Sequence, residues 1–315
     1  TSMGDEMFQP SMSQEDMYKE MTTDLSNAAK VLPNEQGGGR FTKGAALTLK
    51  AWIDLYWGDI IKDPRPSSIF PADPQKALDA YKACAETCQE IMGLGVYDLM
   101  PTREDAFKEE NNNCKEQVFA YQCNKTFPKS RRSKIFGPYN EATGATGDYI
   151  GAGAPTQALV DMYGMKNGLP IDDPNSGYDP EHPFENREPR FYASIGADRC
   201  YWRIGRSSSG NFKVEAQQGE EFGLRAKRIT GTAPENLTGY WLKKGTCSEA
   251  ELFNYSSTIA GFGENPMILI RMAELYLISA EAWNEYLDAP DEEHVYKSLN
   301  VVRKRAGIPD VEVSC

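Results

Sequence analysis

Apolar residues recur at helical spacing over the first 95 residues and again after residue 267, whereas the long region between them lacks this period. The first region predicts three helices. Ser13 caps the first, the second begins near Thr42 and ends at Gly58, and Asp73 followed by Pro74 is a strong start for the third. The apolar faces predicted for these helices are, in chain order, Met17, Met21, Leu25, Ala28 and Leu32, then Ala45, Leu49, Trp52, Ile53 and Tyr56, then Ala77, Tyr81, Cys84, Cys88 and Ile91. The second and third helices are expected to form an antiparallel hairpin.

Two more helices are predicted in the tail. Apolar residues at helical spacing from residue 268 to residue 283 define the first, and Asp291 caps the second, which Gly307 and Pro309 close. Ala45-x-Leu-x-Leu in the head is echoed by Ala273-x-Leu-x-Leu in the tail. Paired helices with small residues at their contact face are typical of tetratricopeptide-like repeats, so the two hairpins are predicted to be of this type.

The middle of the chain predicts an irregular region. Short strand-like runs at residues 117–121, 190–195 and 240–243 are separated by stretches rich in Gly, Pro, Asn, Asp and Ser. We therefore predict a mainly α fold of tetratricopeptide-like helical hairpins with a long irregular, loop-rich portion that contains a few short strands. It forms one domain, with a helical head at 13–95, an irregular ligand-binding portion at 96–266 and a helical hairpin at 267–307.

Charge and cysteine spacing exclude several function classes. With 46 Asp and Glu against 34 Lys and Arg, the net charge of −12 argues against a nucleic-acid partner, which needs concentrated basic side chains. The seven cysteines include no Cys-x-x-Cys pair, which argues against zinc-ribbon and thioredoxin-like sites. No apolar run reaches the roughly 20 residues of a membrane span.

Candidate catalytic chemistry is sparse. The only histidines, His182 and His294, lie outside any nucleophile motif and are expected at the surface, and the chain has no GxSxG, HExxH or P-loop. Glu274 and Glu281 lie seven residues apart on one helix, but pairing with the nearby arginines is expected for them. Those arginines are Arg271, Arg303 and Arg305. We expect no catalytic residue, no metal and no cofactor; an enzyme would require a cleft with two carboxylates at catalytic separation or a bound metal.

The candidate ligand-binding residues are aromatic and planar polar side chains of the irregular portion. Tyr201, Trp202 and Arg203 precede a loop rich in Ser and Gly, and Tyr149 lies in a Gly-rich loop. Aromatic rings stack on the apolar faces of sugars, and Arg hydrogen-bonds sugar hydroxyls. The alternative is that Tyr201 and Trp202 form a strand whose alternate side chains pack inward. The other four tryptophans, Trp52, Trp57, Trp241 and Trp283, lie on regular elements and are predicted to be core residues.

Six motifs in order along the chain resemble those of the SusD/RagB family of outer-membrane nutrient-binding lipoproteins. They are Asp24-Leu25-x-x-Ala28-Ala29-x-x-Leu32-Pro33 with Gly39-Arg40-x-Thr42-Lys43-x-Ala45-Ala46; Pro155-Thr156-Gln157-x-Leu159-Val160 with Gly168-x-Pro170-Ile171; Asn186-Arg187-Glu188-Pro189-Arg190-Phe191; Gly239-Tyr240-Trp241-Leu242-Lys243-Lys244; Ile270-Arg271-x-Ala273-Glu274-x-x-Leu277-x-x-Ala280-Glu281-Ala282-x-Asn284-Glu285; and Asn300-x-x-Arg303-x-Arg305-Ala306-Gly307. Glu188 stands where the family usually has Asp. The chain lacks the lipobox cysteine and the terminal segment of such proteins, so it resembles the interior of a longer member.

The resemblance implies a non-catalytic protein of the Bacteroidetes outer membrane, held on the extracellular face by a lipid anchor in the full-length protein. Its implied partner is a SusC-like TonB-dependent transporter, to which it would deliver an oligosaccharide or, in some members, a peptide. Two alternatives stay open: a peptide-binding member of the same family, and a helical-repeat scaffold that binds only proteins. A broad apolar patch without an aromatic-lined pocket would favour the scaffold.

Overall fold

The computed structural model describes residues 11–35, 39–62, 72–108, 111–122, 154–203, 211–213, 238–244 and 266–312, and the side chains of residues 202, 203 and 211–213 lie outside the description. The described residues fall into two compact units. Unit 1 draws on Thr1–Asp98, Ile270–Leu299 and Glu312–Cys315, and unit 2 on Leu99–Leu269 and Asn300–Val311. Most of the regular structure is helical, as the sequence predicts, and the strands are short.

Unit 1 is built from four long helices. They are α1 (Gln14–Val31), α2 (Lys43–Lys62), α3 (Pro74–Gly93) and α6 (Met272–Tyr286). The predicted starts of α1 and α3 are confirmed, because the side chain of Ser13 accepts a hydrogen bond from the Asp16 amide and that of Asp73 accepts one from the Lys76 amide. Helix α3 packs between α2 and α6, and α1 packs on α2.

The predicted apolar face of α3 is confirmed, whereas that of α2 is wrong in part. All five predicted residues of α3 are buried. On α2 the buried face instead carries small residues such as Ala51 and Gly58, while Leu49 is 41% exposed and Tyr56 is 69% exposed.

Contrary to the prediction, Gly58 does not end α2, because the helix continues to Lys62. The glycine instead makes room for the Tyr81 ring between the two helices, and a Cβ at this position would lie only 2.6 Å from that ring. The larger Trp57 and Ile61 of α2 pack beside the ring against α3.

A buried polar network joins α1, α2 and α3. The Tyr18 hydroxyl donates to Asp54 Oδ1 at 2.9 Å, and Lys50 Nζ donates to Asp54 Oδ2 at 2.6 Å and to Thr87 Oγ1 at 3.2 Å. Asp54 is 1% exposed, so the Tyr18 hydroxyl and the Lys50 ammonium group take the place of water around its carboxylate.

The tail departs from prediction at its start. Residues Met267–Arg271 form strand β6, and the helix predicted from residue 268 begins at Met272. Asp291 does cap the next helix, accepting from the amides of His294 at 2.8 Å and Val295 at 3.2 Å. That helix starts as a π-helical turn, Glu292–Tyr296, and continues as α7 (Lys297–Arg305); Gly307, at φ 73°, follows it in the left-handed conformation.

Unit 2 has three small two-stranded sheets and short helices. The strands are β1 (Gln117–Tyr121), β2 (Ile195–Gly196), β3 (Tyr201–Arg203), β4 (Asn211–Lys213) and β5 (Trp241–Leu242), which pair as β1 with β6, β2 with β5 and β3 with β4. The helices are a 3₁₀ turn (Asp105–Phe107), α4 (Gln157–Asp161) and α5 (Pro189–Ser194). The strands predicted at 117–121 and 240–243 are confirmed.

The strand predicted at 190–195 is wrong, because all but its last residue belong to α5. Glu188 is extended, with φ −60° and ψ 152°, and Pro189 then occupies the first turn of the helix. Proline at this position needs no N–H partner and has a helical φ, so it starts a helix even in a run with strand-like alternation. No described helix is long and apolar enough to cross a membrane.

Candidate functional site

Arg187 is the anchor of the segment that leads to the candidate site. Its side chain is 2% exposed. Its guanidinium donates to four backbone carbonyls, those of Pro183 at 2.9 Å, Val160 at 2.8 Å, Tyr163 at 2.6 Å and Gly164 at 3.4 Å. The Phe191 ring centroid lies 4.8 Å from the guanidinium carbon, a cation–π contact. One charged side chain therefore satisfies the carbonyls of two chain segments and fixes where α5 begins.

Helix α5 and the residues that follow it pack in a buried apolar cluster, which forms the base of the candidate site. Phe191, Ile195 and Ala197 pack with Val160 and Tyr240 in one apolar cluster. Antiparallel pairing of β2 with β5 places Ile195 opposite Leu242 and Gly196 opposite Trp241. The chain that leaves this base is therefore held by side-chain packing and by backbone hydrogen bonds.

The candidate residue Tyr201 lies at the surface directly after this base. The Cys200 amide donates to the Ala197 carbonyl at 3.1 Å, and Arg199, at φ 64°, turns the chain in the left-handed conformation. Strand β3 follows, and Tyr201 at its first position is 68% exposed. Since the ring is exposed, inward packing does not hold for Tyr201. An exposed ring on a held backbone can stack on a flat apolar ligand face.

For the other three predicted ligand residues, the structure describes the backbone of two and leaves the third outside the described residues. Trp202 and Arg203 lie on β3, paired in register with Phe212 and Asn211 of β4. Strand β3 thus keeps three of the four candidates consecutive. Tyr149 lies outside the described residues. A ligand role for all four stays a prediction.

Buried carboxylates of unit 2 pair with arginines. Both oxygens of Glu116, which is fully buried, accept from Arg305 Nη1 at 3.0 and 2.9 Å. Glu188 is 2% exposed, and its Oε2 accepts from Arg190 Nη2 at 2.7 Å and Nε at 3.1 Å. The expected pairing of Arg305 with a tail glutamate is therefore wrong, since Glu116 takes its place.

The tail glutamates remain outside such pairs. In the described part of the chain, neither Glu274 nor Glu281 makes a hydrogen bond or an ion pair through its carboxylate. Burial raises the pKa of both carboxyls; the charge of Arg271 opposes this for Glu274, and Asp59 reinforces it for Glu281.

The histidines pair with nearby aspartates. Nδ1 of His182 lies 2.8 Å from Asp179, and Nδ1 of His294 lies 2.6 Å from Asp291. His182 is exposed as expected, whereas His294 is half-buried with its ring centroid 4.4 Å from that of Trp283. Among the described residues, no group of three or more His, Cys, Asp or Glu could hold a metal ion.

An open apolar groove in unit 1 is a surface that sequence analysis missed. It has a volume of about 820 Å³ and lies between α1, α2 and α6. Its walls include Leu49, Ile53 and Tyr56 from the face of α2 that the sequence predicts to be core. Trp52, also predicted to be a core residue, is half-buried in its wall, whereas Trp57, Trp241 and Trp283 are buried as predicted. The signal available in the sequence was that α2 has apolar residues on more than one face.

A family model and several solved structures are similar to this chain. The model of the SusD family matches residues 115–315. A SusD-like protein from Bacteroides fragilis is 26% identical, with a TM-score of 0.65 over 97% of this chain and 55% of that one. A SusD-like carbohydrate binding protein from the same species is 20% identical, with a TM-score of 0.68 over 99% of this chain and 55% of that one.

A third similar structure is surface glycan-binding protein A from Bacteroides thetaiotaomicron in complex with laminarihexaose, 18% identical, with a TM-score of 0.56 over 96% of this chain and 56% of that one. The chain thus spans about half the length of these structures. No curated protein matches the chain. Because the family model covers more than half of its residues, this chain belongs to the SusD family.

Proposed function

We propose that the chain is part of a cell-surface protein that binds an extracellular glycan without breaking any bond and passes it to a partner TonB-dependent transporter. The longer protein would be held on the outer face of the outer membrane by a lipid anchor. The site would lie in the irregular portion, on the strand that carries Tyr201, Trp202 and Arg203, with Tyr149 as a further contact.

The observation that carries the proposal is the exposed ring of Tyr201, which directly follows a segment that is packed in the apolar cluster of unit 2. Burial of Phe191 and Ile195 and the left-handed turn at Arg199 fix the start of β3. An exposed aromatic ring has few rotatable bonds, so it loses little conformational entropy when it stacks on a sugar ring. Arg203, two positions along the same strand, would add hydrogen bonds to hydroxyls.

Two relatives support a glycan as the ligand class. One solved structure of similar fold was determined with a xylogluco-oligosaccharide, and surface glycan-binding protein A was determined with laminarihexaose. A non-catalytic role is supported by the buried carboxylates of unit 2: Glu116 and Glu188 are neutralised by Arg305 and Arg190, an arrangement that suits structure better than acid–base catalysis.

The test is isothermal titration of the chain against xylogluco-oligosaccharides, laminari-oligosaccharides, host glycans and oligopeptides, with each mixture checked for hydrolysis products. We expect saturable glycan binding without products. Tyr201→Ala and Trp202→Ala should each weaken it by about tenfold, the equivalent of ~1.4 kcal/mol for a lost stacking contact. Tyr121→Ala is the matched control, because Tyr121 is also exposed (53%) and also lies on a strand of unit 2.

Each remaining outcome points elsewhere. Release of shortened sugars would contradict the non-catalytic role. Binding of peptides in place of glycans would favour the peptide-binding alternative. Equal losses of glycan affinity in Tyr201→Ala and Tyr121→Ala would show that β3 is not the binding site.

A further inference from the structure

The groove of unit 1 is an open surface whose walls are apolar. Helix α2 contributes Leu49, Trp52, Ile53 and Tyr56, which recur at helical spacing along one face, and α1 contributes Met17 and Met21. Several of these side chains are well exposed: Tyr56 by 69%, Met17 by 45%, Leu49 by 41% and Met21 by 40%. A contiguous exposed apolar face of this kind marks a binding surface more often than a solvated one.

The composition of the walls favours a helical ligand. Methionine is unbranched and polarizable, so a methionine-lined groove adapts to the side chains of a docked helix. The stripe on α2 runs from Leu49 to Ile60, and the eleven steps between these residues span about 17 Å at 1.5 Å per residue. That length accommodates about three turns of a second helix laid along the groove.

The charges in the groove define what the helix must carry. Asp59 and Glu274 are the charged side chains that line it, and no Lys or Arg of the described residues does so. Asp59 accepts a hydrogen bond from the Tyr81 hydroxyl at 2.8 Å. Glu274 makes no hydrogen bond or ion pair in the described part of the chain; burial raises its pKa, and the charge of Arg271 opposes this only in part. Both carboxylates would gain from a cation placed in the groove.

A second copy of this chain is disfavoured as the occupant by the same charges. It would bring the same two carboxylates, and the chain carries a net charge of −12. We propose that the groove between α1, α2 and α6 docks an amphipathic helix of a partner protein, one with an apolar stripe and Lys or Arg beside it. This role is independent of glycan binding by unit 2.

The test uses the full chain and a synthetic helical peptide of about 14 residues, with Leu on one face and Lys on the other. Its controls are a scrambled peptide of the same composition and a Leu/Glu peptide of the same pattern. We expect saturable binding of the Leu/Lys peptide, at least about tenfold weaker binding of either control peptide, and a loss of affinity as salt is raised.

Variants then locate the site. Leu49→Asp and Tyr56→Asp change exposed positions and should each weaken binding by about tenfold or more. Glu274→Gln should weaken it several-fold and reduce its salt dependence. Met162→Asp, at an 80% exposed apolar residue of unit 2, should bind like the parent chain. Circular dichroism of each variant checks that the fold is unchanged.

Three outcomes would overturn the proposal. If the scrambled peptide binds as well as the Leu/Lys peptide, net charge and not the apolar stripe causes the binding. Tyr56→Asp could bind like Met162→Asp, which would place the peptide elsewhere. The chain could form a dimer in sedimentation that Tyr56→Asp dissociates, which would make a second copy the occupant.

Discussion

Arg187 illustrates how much one buried side chain can determine at the residue scale. Its guanidinium holds four carbonyls. Arg187→Met would leave them without donors, so we expect the free energy of unfolding to fall by about 3–5 kcal/mol. Arg187→Lys should recover only part of this, because an ammonium lacks the planar fork. Urea denaturation measures the free energy of unfolding of both variants. The control is Lys166→Met, at an exposed position; an equal loss of stability in that variant would show that Arg187 has no special role.

Glu281 predicts a pH dependence of unit 1. Burial, then Asp59 and Glu285, raises the pKa of its carboxyl above the ordinary 4.5. The folded state therefore binds this proton more tightly than the unfolded state does. The stability that the proton confers is present below pH 4.5 and is lost as the pH rises through the folded-state pKa.

The corresponding variant is Glu281→Gln, which mimics the protonated carboxyl. We expect it to change stability little at low pH and to stabilise the chain at neutral pH by a few tenths of a kcal/mol, since the residue is partly exposed and solvent screens its charge. Thermal unfolding across pH checks this. Glu20→Gln, on the exposed face of α1, serves for comparison; a gain at low pH only would reverse the assigned sign.

At the element scale, the contact between α2 and α3 depends on Gly58. Alanine favours a helix over glycine by about 1 kcal/mol, but a Cβ at this position would meet the Tyr81 ring at 2.6 Å. The steric term should win, so Gly58→Ala is expected to lower the free energy of unfolding by about 1–3 kcal/mol.

Gly93 is the matched control for Gly58. It is the last residue of α3, and a Cβ there would meet nothing within 4 Å. Gly93→Ala should therefore be neutral or stabilise the chain by up to about 1 kcal/mol. Chemical denaturation of the two variants compares them directly, and stabilisation by Gly58→Ala would show that α2 and α3 can separate at no cost.

At the scale of the whole molecule, a buried ion pair joins distant parts of the chain. Glu116 and Arg305 are separated by 189 residues, and the Met100 amide also donates to Glu116, at 2.9 Å. Arg305→Met would leave a buried carboxylate without its cation, which should cost about 3–5 kcal/mol. The double variant Glu116→Leu/Arg305→Met should lose less than the single one, because no unpaired charge then remains. A double-mutant cycle measures this coupling, and strictly additive losses would contradict it.

Local hydrogen bonds were sufficient to predict the starts of three helices from the sequence alone. Ser13, Asp73 and Asp291 each cap a backbone N–H three residues away, a contact that forms within one turn whatever the rest of the chain does. The buried face of α3 follows from the 3.6-residue period in the same way. A strand at Tyr201 and Trp202 was one of the two alternatives that the sequence left open for these residues, and both lie on β3.

Contacts between segments far apart in the chain decided the rest. Helix α2 has apolar residues on more than one face, so only its approach to α3 through Gly58 determined that Leu49 and Tyr56 line an open groove. The partner of Arg305 and the carbonyls around Arg187 depend on how loops close, which no local period encodes. The sequence by itself thus determined the capped helix starts, the buried face of α3 and the family resemblance. Only the tertiary structure decided which side chains of α2 face solvent, because exposure depends on what packs against an element rather than on the element itself.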